Sequence, residues 1–180
     1  MISFLLHEIY IPKFWTILLK SCLSERSREK ILINIIMGFV APWIFGFILY
    51  KKESIIVLLI APIGMTVAFI LNEWGTNYFW QFEPIFRNRS LSALPLNMSF
   101  YPVLTSFLVY LKIKKRVNTF LLLIGFTLFT TGFEGIGLIF EKVEYFNSWN
   151  IIGTFISYLI AYIIIYVYYR SLVKHQVLKT

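Results

Sequence analysis

The chain has 180 residues, of which 58% are hydrophobic and 14% are charged. Soluble domains usually carry about 25% charged residues, so the composition argues against a soluble globular domain. A net charge of +8 could indicate nucleic-acid binding. However, the basic residues cluster at the ends of apolar segments, as in Lys51, Lys52 and the run 112–116, which is typical of topology signals beside anionic lipid headgroups. We therefore expect membrane lipid, and no nucleic acid, as a partner.

Residue types that bind metals are scarce. Cys22 is the only cysteine, and the two histidines, His7 and His175, lie at opposite ends of the chain. These residues supply neither a cysteine site nor a histidine-based centre. The sequence therefore predicts no metal site, and we expect no cofactor.

The first 30 residues are apolar but interrupted by charges and a proline. They lack the basic start, the continuous apolar core and the small-residue cleavage site of a signal peptide. Lys13 and Lys20 flank the apolar residues 14–19, which favours a helix lying in the membrane interface. We therefore assign 1–30 to an N-terminal interfacial or partly inserted segment, with a sixth, broken span as the alternative.

Five later stretches are long and apolar enough to cross a bilayer, because about 20 apolar residues in a helix span its roughly 30 Å hydrocarbon core. They are 31–50, 54–72, 94–111, 117–140 and 150–169. The sequence predicts an all-α, polytopic helical membrane bundle over 31–170, with about five transmembrane helices plus the N-terminal interfacial helix. Residues 171–180 form a basic tail, and we expect a multi-pass protein of the cell membrane.

Local features refine this prediction. Pro42 should bend the first span, because proline lacks a backbone donor, and the short connection after Tyr50 makes the first two spans an antiparallel hairpin. Small residues recur every four positions on two spans, which predicts faces of close helix contact. These residues are Gly64, Ala68 and Asn72 on the second span, and Thr127, Thr131 and Gly135 on the fourth. The basic residues on the two sides nearly balance. If 1–23 is interfacial and its charges are discounted, the C-terminal side carries more, and we therefore favour a cytoplasmic C-terminus.

Glu134 is the candidate catalytic residue. It lies about six residues, or roughly 9 Å by helical rise, inside one end of the fourth span. A carboxylate at that depth costs several kcal/mol unless it is protonated, paired or hydrated. Glu134 therefore either faces a substrate or proton path, or forms a hydrogen bond to a neighbouring helix.

A second group of polar residues should converge near the same end of the bundle. Asn72 and Glu73 end the second span and Asn97 opens the third, while the aromatic connection 74–93 lies between them. The predicted result is a polar pocket capped by aromatic rings; the alternative is helix capping and hydration at the interface. Arg87 and Arg89 are candidates to bind a lipid phosphate or carboxylate; the alternative for them is an interfacial salt bridge with Glu83 or Glu73. The candidate ligand-binding residues are Asn72, Glu73, Trp80, Asn97, Tyr101, Arg87 and Arg89.

The run from Asn72 to Phe140 resembles a family of small multi-span membrane proteins of Gram-positive spore-forming bacteria. The likeness is carried by Asn72, Trp80, Glu134 and the element Pro-Leu-Asn-Met-Ser-Phe-Tyr-Pro-Val at 95–103. Asn72 and Asn97 stand where the family pattern has an acid, and the resemblance implies no assigned activity. A more distant likeness to the membrane domain of bacterial lycopene cyclases implies a shared helical scaffold. It does not imply cyclase activity, since the paired acids of that motif are missing here.

The first functional hypothesis is a small integral membrane protein that acts as a helix-packing scaffold or binds an apolar or lipid ligand. One alternative is a membrane-embedded enzyme that modifies a lipid or isoprenoid, with Glu134 as the acid. Another is a small transporter or channel subunit, which the lack of internal repeats disfavours. The expected partners are an apolar small molecule, another membrane protein, or a second copy of the chain.

Overall fold

A computed structural model describes Leu32 and residues 34–178, which are mostly helical. Four helices in this part are long and apolar enough to cross a membrane: α1 (Ile36–Tyr78), α2 (Ser90–Lys114), α3 (Thr119–Ile139) and α4 (Ile151–Lys174). Two short strands, β1 (Trp80–Phe82) and β2 (Val143–Tyr145), pair antiparallel with Trp80 opposite Tyr145. The predicted helical class is confirmed, and the interfacial helix predicted for 1–30 lies outside the described residues.

The number of spanning-type helices among the described residues is four rather than the predicted five, because the first two predicted spans lie within α1. This helix has 43 residues, which at about 1.5 Å per residue is far longer than a bilayer is thick. Its backbone leaves helical geometry at Glu53, where φ is −149° and ψ is 66°. Glu53 therefore divides α1 into two halves, 36–52 and 54–78.

The two halves of α1 run along α2 in opposite directions. The residues that face each other are Gly38 and Leu96, Gly46 and Val103, Gly64 and Thr105, and Asn72 and Asn97. In the pairs before Glu53 the residue numbers increase on both α1 and α2, so these segments run parallel. In the pairs after Glu53 the numbers increase on α1 and decrease on α2, so these segments run antiparallel. The chain therefore turns back at Glu53, and an ion pair of 2.7 Å between Glu53 and Lys114 ties this turn to the end of α2.

A π-helical turn precedes a proline in both α1 and α2. Ile36–Val40 comes just before Pro42, and Leu96–Phe100 comes just before Pro102. Proline has no backbone N–H to donate to the preceding turn, and a wider turn accommodates this loss. The two wide turns pack together, with the Ser99 hydroxyl donating to the Phe39 carbonyl at 2.6 Å. At Pro42, where the sequence predicted a bend, the structure has a widened turn just before the proline.

The small-residue face on the second half of α1 is confirmed as a helix contact. Gly64, Ala68 and Asn72 are all buried, and a Cβ added to Gly64 would lie 3.2 Å from the backbone of Pro102. The corresponding prediction for α3 holds only in part. Thr127 and Thr131 are buried, but Gly135 has open space where a Cβ would lie, so the tight packing predicted there is wrong.

Candidate functional site

Glu134 lies on α3, five residues before the end of the helix at Ile139, and only 6% of its surface is exposed. Three hydroxyl groups donate to its carboxylate. The Tyr145 hydroxyl reaches Oε1 at 2.6 Å and the Thr154 hydroxyl reaches Oε1 at 3.1 Å. The Tyr158 hydroxyl donates to Oε2. Because Tyr145 belongs to β2 and the other two donors belong to α4, the carboxylate joins α3, the strand pair and α4.

Tyr145 is the one of the three donors to Glu134 that belongs to the strand pair, and its hydrogen bond ties β2 to α3. Its hydroxyl also lies 2.7 Å from the hydroxyl of Thr154, which accepts a bond of 2.9 Å from the Trp149 indole. Burial, together with the nearby Glu134 carboxylate, raises the pKa of Tyr145 above its ordinary value. Tyr145 therefore stays protonated and remains a donor at neutral pH.

Tyrosines extend this cluster towards α2 and along α4. The hydroxyls of Tyr101 and Tyr158 are 3.0 Å apart, which connects α2 to the group around Glu134. One turn further along α4, the Tyr162 hydroxyl lies 2.6 Å from that of Thr130 on α3. The interior at this level is therefore hydrogen-bonded rather than purely apolar, and its polar groups face one another.

Asn72 and Asn97 meet in the interior, as the sequence predicted. Asn72 Nδ2 donates to Asn97 Oδ1 at 2.5 Å, and the Trp80 indole donates to Asn72 Oδ1 at 3.3 Å. Asn97 is fully buried, and its Nδ2 has no hydrogen-bond partner within Leu32 and residues 34–178. This hydrogen bond joins α1 to α2, and the bond from Trp80 to Asn72 ties β1 to the same pair. A role of these three residues in ligand binding stays a prediction.

Two cavities meet at Glu134, Tyr101 and Tyr158. The smaller has a volume of about 40 Å³ and is also lined by Asn72 and Trp80; it has room for little more than a water molecule. The larger, hereafter the Glu134 cavity, has a volume of about 430 Å³, which is within the usual range for small-molecule sites. Besides the three shared residues it is lined by Asn34, Met37, Gly38, Phe82, Glu83, Ser92, Pro95, Leu96, Phe133, Ile136, Gly137, Phe140, Lys142 and Val143.

Three of the predicted site residues lie away from both cavities. Glu73 is exposed and accepts hydrogen bonds from the Ser90 hydroxyl and, at 3.3 Å, from Asn77. Arg87 is exposed, and the Arg89 guanidinium lies 5.6 Å from the centre of the Phe146 ring. Within the described part of the chain, neither arginine forms an ion pair with Glu73. Glu73, on α1, and the two loop arginines therefore do not line either cavity, and a role of these residues in ligand binding stays a prediction.

The site predicted from the sequence did not include Tyr145, Thr154 or Tyr158. Thr154, Tyr158 and Tyr162 recur every four residues, which puts three hydroxyls on one face of an apolar helix, and this spacing was a usable signal. Tyr145 gave no such signal, because its position depends on the pairing of two distant strands. Where the structure describes the chain, no three His, Cys, Asp or Glu residues come together as a metal site.

No protein-family model, no curated protein and no solved structure matches this chain.

Proposed function

We propose that this protein is an integral membrane protein that binds an apolar or lipid ligand in the Glu134 cavity. One observation carries the proposal: a largely apolar cavity of about 430 Å³ reaches a buried carboxyl surrounded by hydroxyl groups. Sites for small apolar molecules usually combine such walls with a few polar groups that orient the ligand. Met37 and Ile136 line the cavity and are themselves more than half exposed on the outside of the bundle, so a lipid-soluble molecule could enter from the bilayer.

We also propose five membrane crossings in a multi-pass protein of the cell membrane, with each half of α1 crossing once. The reversal at Glu53 supports this count. The charges of the described residues support an orientation. One end of the bundle carries a single acid, Glu53, against eight basic residues: Lys51, Lys52, Lys112, Lys114, Lys115, Arg116, Arg170 and Lys174. The other end carries Arg87, Arg89 and Lys142 with four glutamates, so among the described residues the basic end is the one expected in the cytoplasm. The five basic residues of 1–30, which nearly balance the count over the whole sequence, lie outside the described residues.

Single cysteines in a Cys22→Ser background test this topology. Lys52 and Glu144 are both exposed and lie at opposite ends of the bundle. A membrane-impermeant thiol reagent should label Glu144→Cys in intact cells and Lys52→Cys only after permeabilisation. Labelling of both positions from the same side would refute the five-crossing arrangement.

Ligand binding is tested by mass spectrometry of organic extracts from protein purified gently out of its native membrane. Ile136→Trp should reduce the recovered ligand by narrowing the Glu134 cavity. Ile139→Trp is the matched control, because Ile139 is one turn further along α3, is 79% exposed and does not line the cavity. A molecule enriched in wild type and in Ile139→Trp, but depleted in Ile136→Trp, supports the proposal. Bulk lipid in equal proportions from all three would overturn it.

The enzymatic alternative, in which Glu134 protonates a lipid or isoprenoid, has weaker support. Both carboxyl oxygens of Glu134 already accept hydrogen bonds from tyrosine or threonine, so a substrate would have to displace one of these groups. The transport hypothesis and the two family resemblances stay predictions.

A further inference from the structure

Glu134 is a buried acid without a cation beside it. It is the one buried charged side chain among the described residues, and no described Lys, Arg or His lies within 4 Å of its carboxylate; the ion pair that the structure does record is Glu53 with Lys114. Hydroxyl groups offset part of the cost of burying a negative charge, but they carry no positive charge of their own. A cationic ligand would supply the positive charge that the described residues do not place beside Glu134.

The walls of the Glu134 cavity also suit a cation. Five aromatic rings line it: Phe82, Phe133, Phe140, Tyr101 and Tyr158. The face of an aromatic ring attracts a cation held within about 6 Å of its centre, and this attraction is stronger in a site shielded from water. The remaining lining is mostly apolar and fits a hydrophobic body attached to the charge.

Two further charged residues line the cavity and affect which ligand charge it favours. Lys142 and Glu83 lie next to each other across the strand pair, where the Glu83 N–H donates to the Lys142 carbonyl at 2.9 Å. Both lie beyond the end of α3, whereas Glu134 lies within that helix. The Lys142 ammonium favours an anionic headgroup at that end, whereas Glu134 favours a cationic one. The charge of the ligand that binds more tightly therefore shows whether Lys142 or Glu134 governs binding.

We propose that the Glu134 cavity selects apolar cations, namely amines or quaternary onium ions that carry a hydrophobic body. This inference rests on the proposed function, because it names the class of ligand for the same cavity. Glu134 is the counter-ion, and the rings of Phe133, Tyr101 and Tyr158 surround the cationic head.

The test uses two probes of nearly the same shape and opposite charge, tetraphenylphosphonium and tetraphenylborate. Binding to the detergent-purified full chain is measured by equilibrium dialysis against protein-free micelles. The phosphonium should bind at least tenfold more tightly than the borate. Glu134→Gln keeps the size of the side chain but removes its charge, and it should weaken phosphonium binding about tenfold or more without weakening borate binding.

Two more variants keep the test decisive. Glu144→Gln makes the same change in net charge at an exposed position that does not line the cavity, and its affinity should stay within twofold of wild type. Phe133→Leu removes one ring at a residue that is 40% exposed, and it should weaken phosphonium binding several-fold. The Phe133→Leu variant still tests cation selectivity if Glu134→Gln does not fold.

The outcomes separate this inference from the proposed function. Equal binding of both probes, or tighter binding of the borate, overturns cation selectivity while leaving an apolar ligand site in place. Phosphonium affinity unchanged in both Glu134→Gln and Phe133→Leu also overturns it. Binding of neither probe above the micelle background counts against both proposals.

Discussion

Gly75→Ala should destabilise the protein, although alanine is the better helix former. Gly75 lies near the end of α1, where an added Cβ would overlap the indole ring of Trp80. That ring donates a hydrogen bond of 3.3 Å to Asn72 and contacts Trp149 and Phe79 at centroid distances of 5.2 and 6.4 Å. To make room for the methyl group, the ring has to leave these partners.

The magnitude follows from the contacts that are lost. The hydrogen bond contributes about 1 kcal/mol, and each aromatic pair contributes about 0.5–1.5 kcal/mol. The gain in helix propensity from glycine to alanine returns about 0.5–1 kcal/mol. The net loss is about 2 kcal/mol, which for a chain of this size lowers Tm by about 4–8 °C.

Gly132→Ala is the matched control. Gly132 lies in the middle of α3, is exposed, and has no atom within 4 Å of the place where a Cβ would lie. The same substitution should therefore keep its gain in propensity and raise Tm by about 1–4 °C. Thermal melts of the two variants in one detergent, followed by tryptophan fluorescence, check both values. A Gly75→Ala variant as stable as Gly132→Ala would refute the packing described for Trp80.

Two further predictions concern the polar interior. Asn72→Ala leaves the Trp80 indole and Asn97 without their shared partner, so it should cost about 1–3 kcal/mol; the midpoint of thermal unfolding measures this, and a midpoint equal to wild type would contradict the role of the pair. Burial and the Glu134 carboxylate raise the pKa of Tyr145, so its phenol should stay protonated around pH 10, where an exposed tyrosine is half ionised. Absorbance titration at alkaline pH should therefore give the same curve for wild type and for Tyr145→Phe up to that pH. One fewer ionising tyrosine in the variant would contradict the raised pKa of Tyr145.

Much of the helical framework could be predicted from composition and spacing. The apolar runs located the helices, and the four-residue spacing of Gly64, Ala68 and Asn72 identified the face that contacts α2. The position of Glu134 was informative for a physical reason, since a carboxylate within an apolar helix requires partners. These signals are local, because each depends on one helix read alone.

The rest of the site depends on contacts between distant segments. Tyr145 reaches Glu134 only because β2 pairs with β1, more than 60 residues away in the sequence, in one particular register. Arg87 and Arg89 show the opposite case: as loop cations among aromatic residues they indicated a site, but the loop holds both away from the cavity. The cavity is a gap between packed elements, and no single segment of the sequence encodes it.

The paired π-helical turns impose a constraint on chain length at this place in the fold. A π-helical turn holds about one residue more than an α-helical turn, because its hydrogen bonds join residues five apart rather than four. Deleting one residue within Leu96–Phe100 would therefore narrow this turn to an α-helical one and shift Asn97 or Ser99 from its partner, Asn72 or the Phe39 carbonyl. Deletion of one residue within Ile36–Val40 would narrow the partner turn in the same manner and move the Phe39 carbonyl away from Ser99. Insertions and deletions in related chains should thus occur in the connections between helices, while the spacing from Asn97 to Tyr101 stays constant.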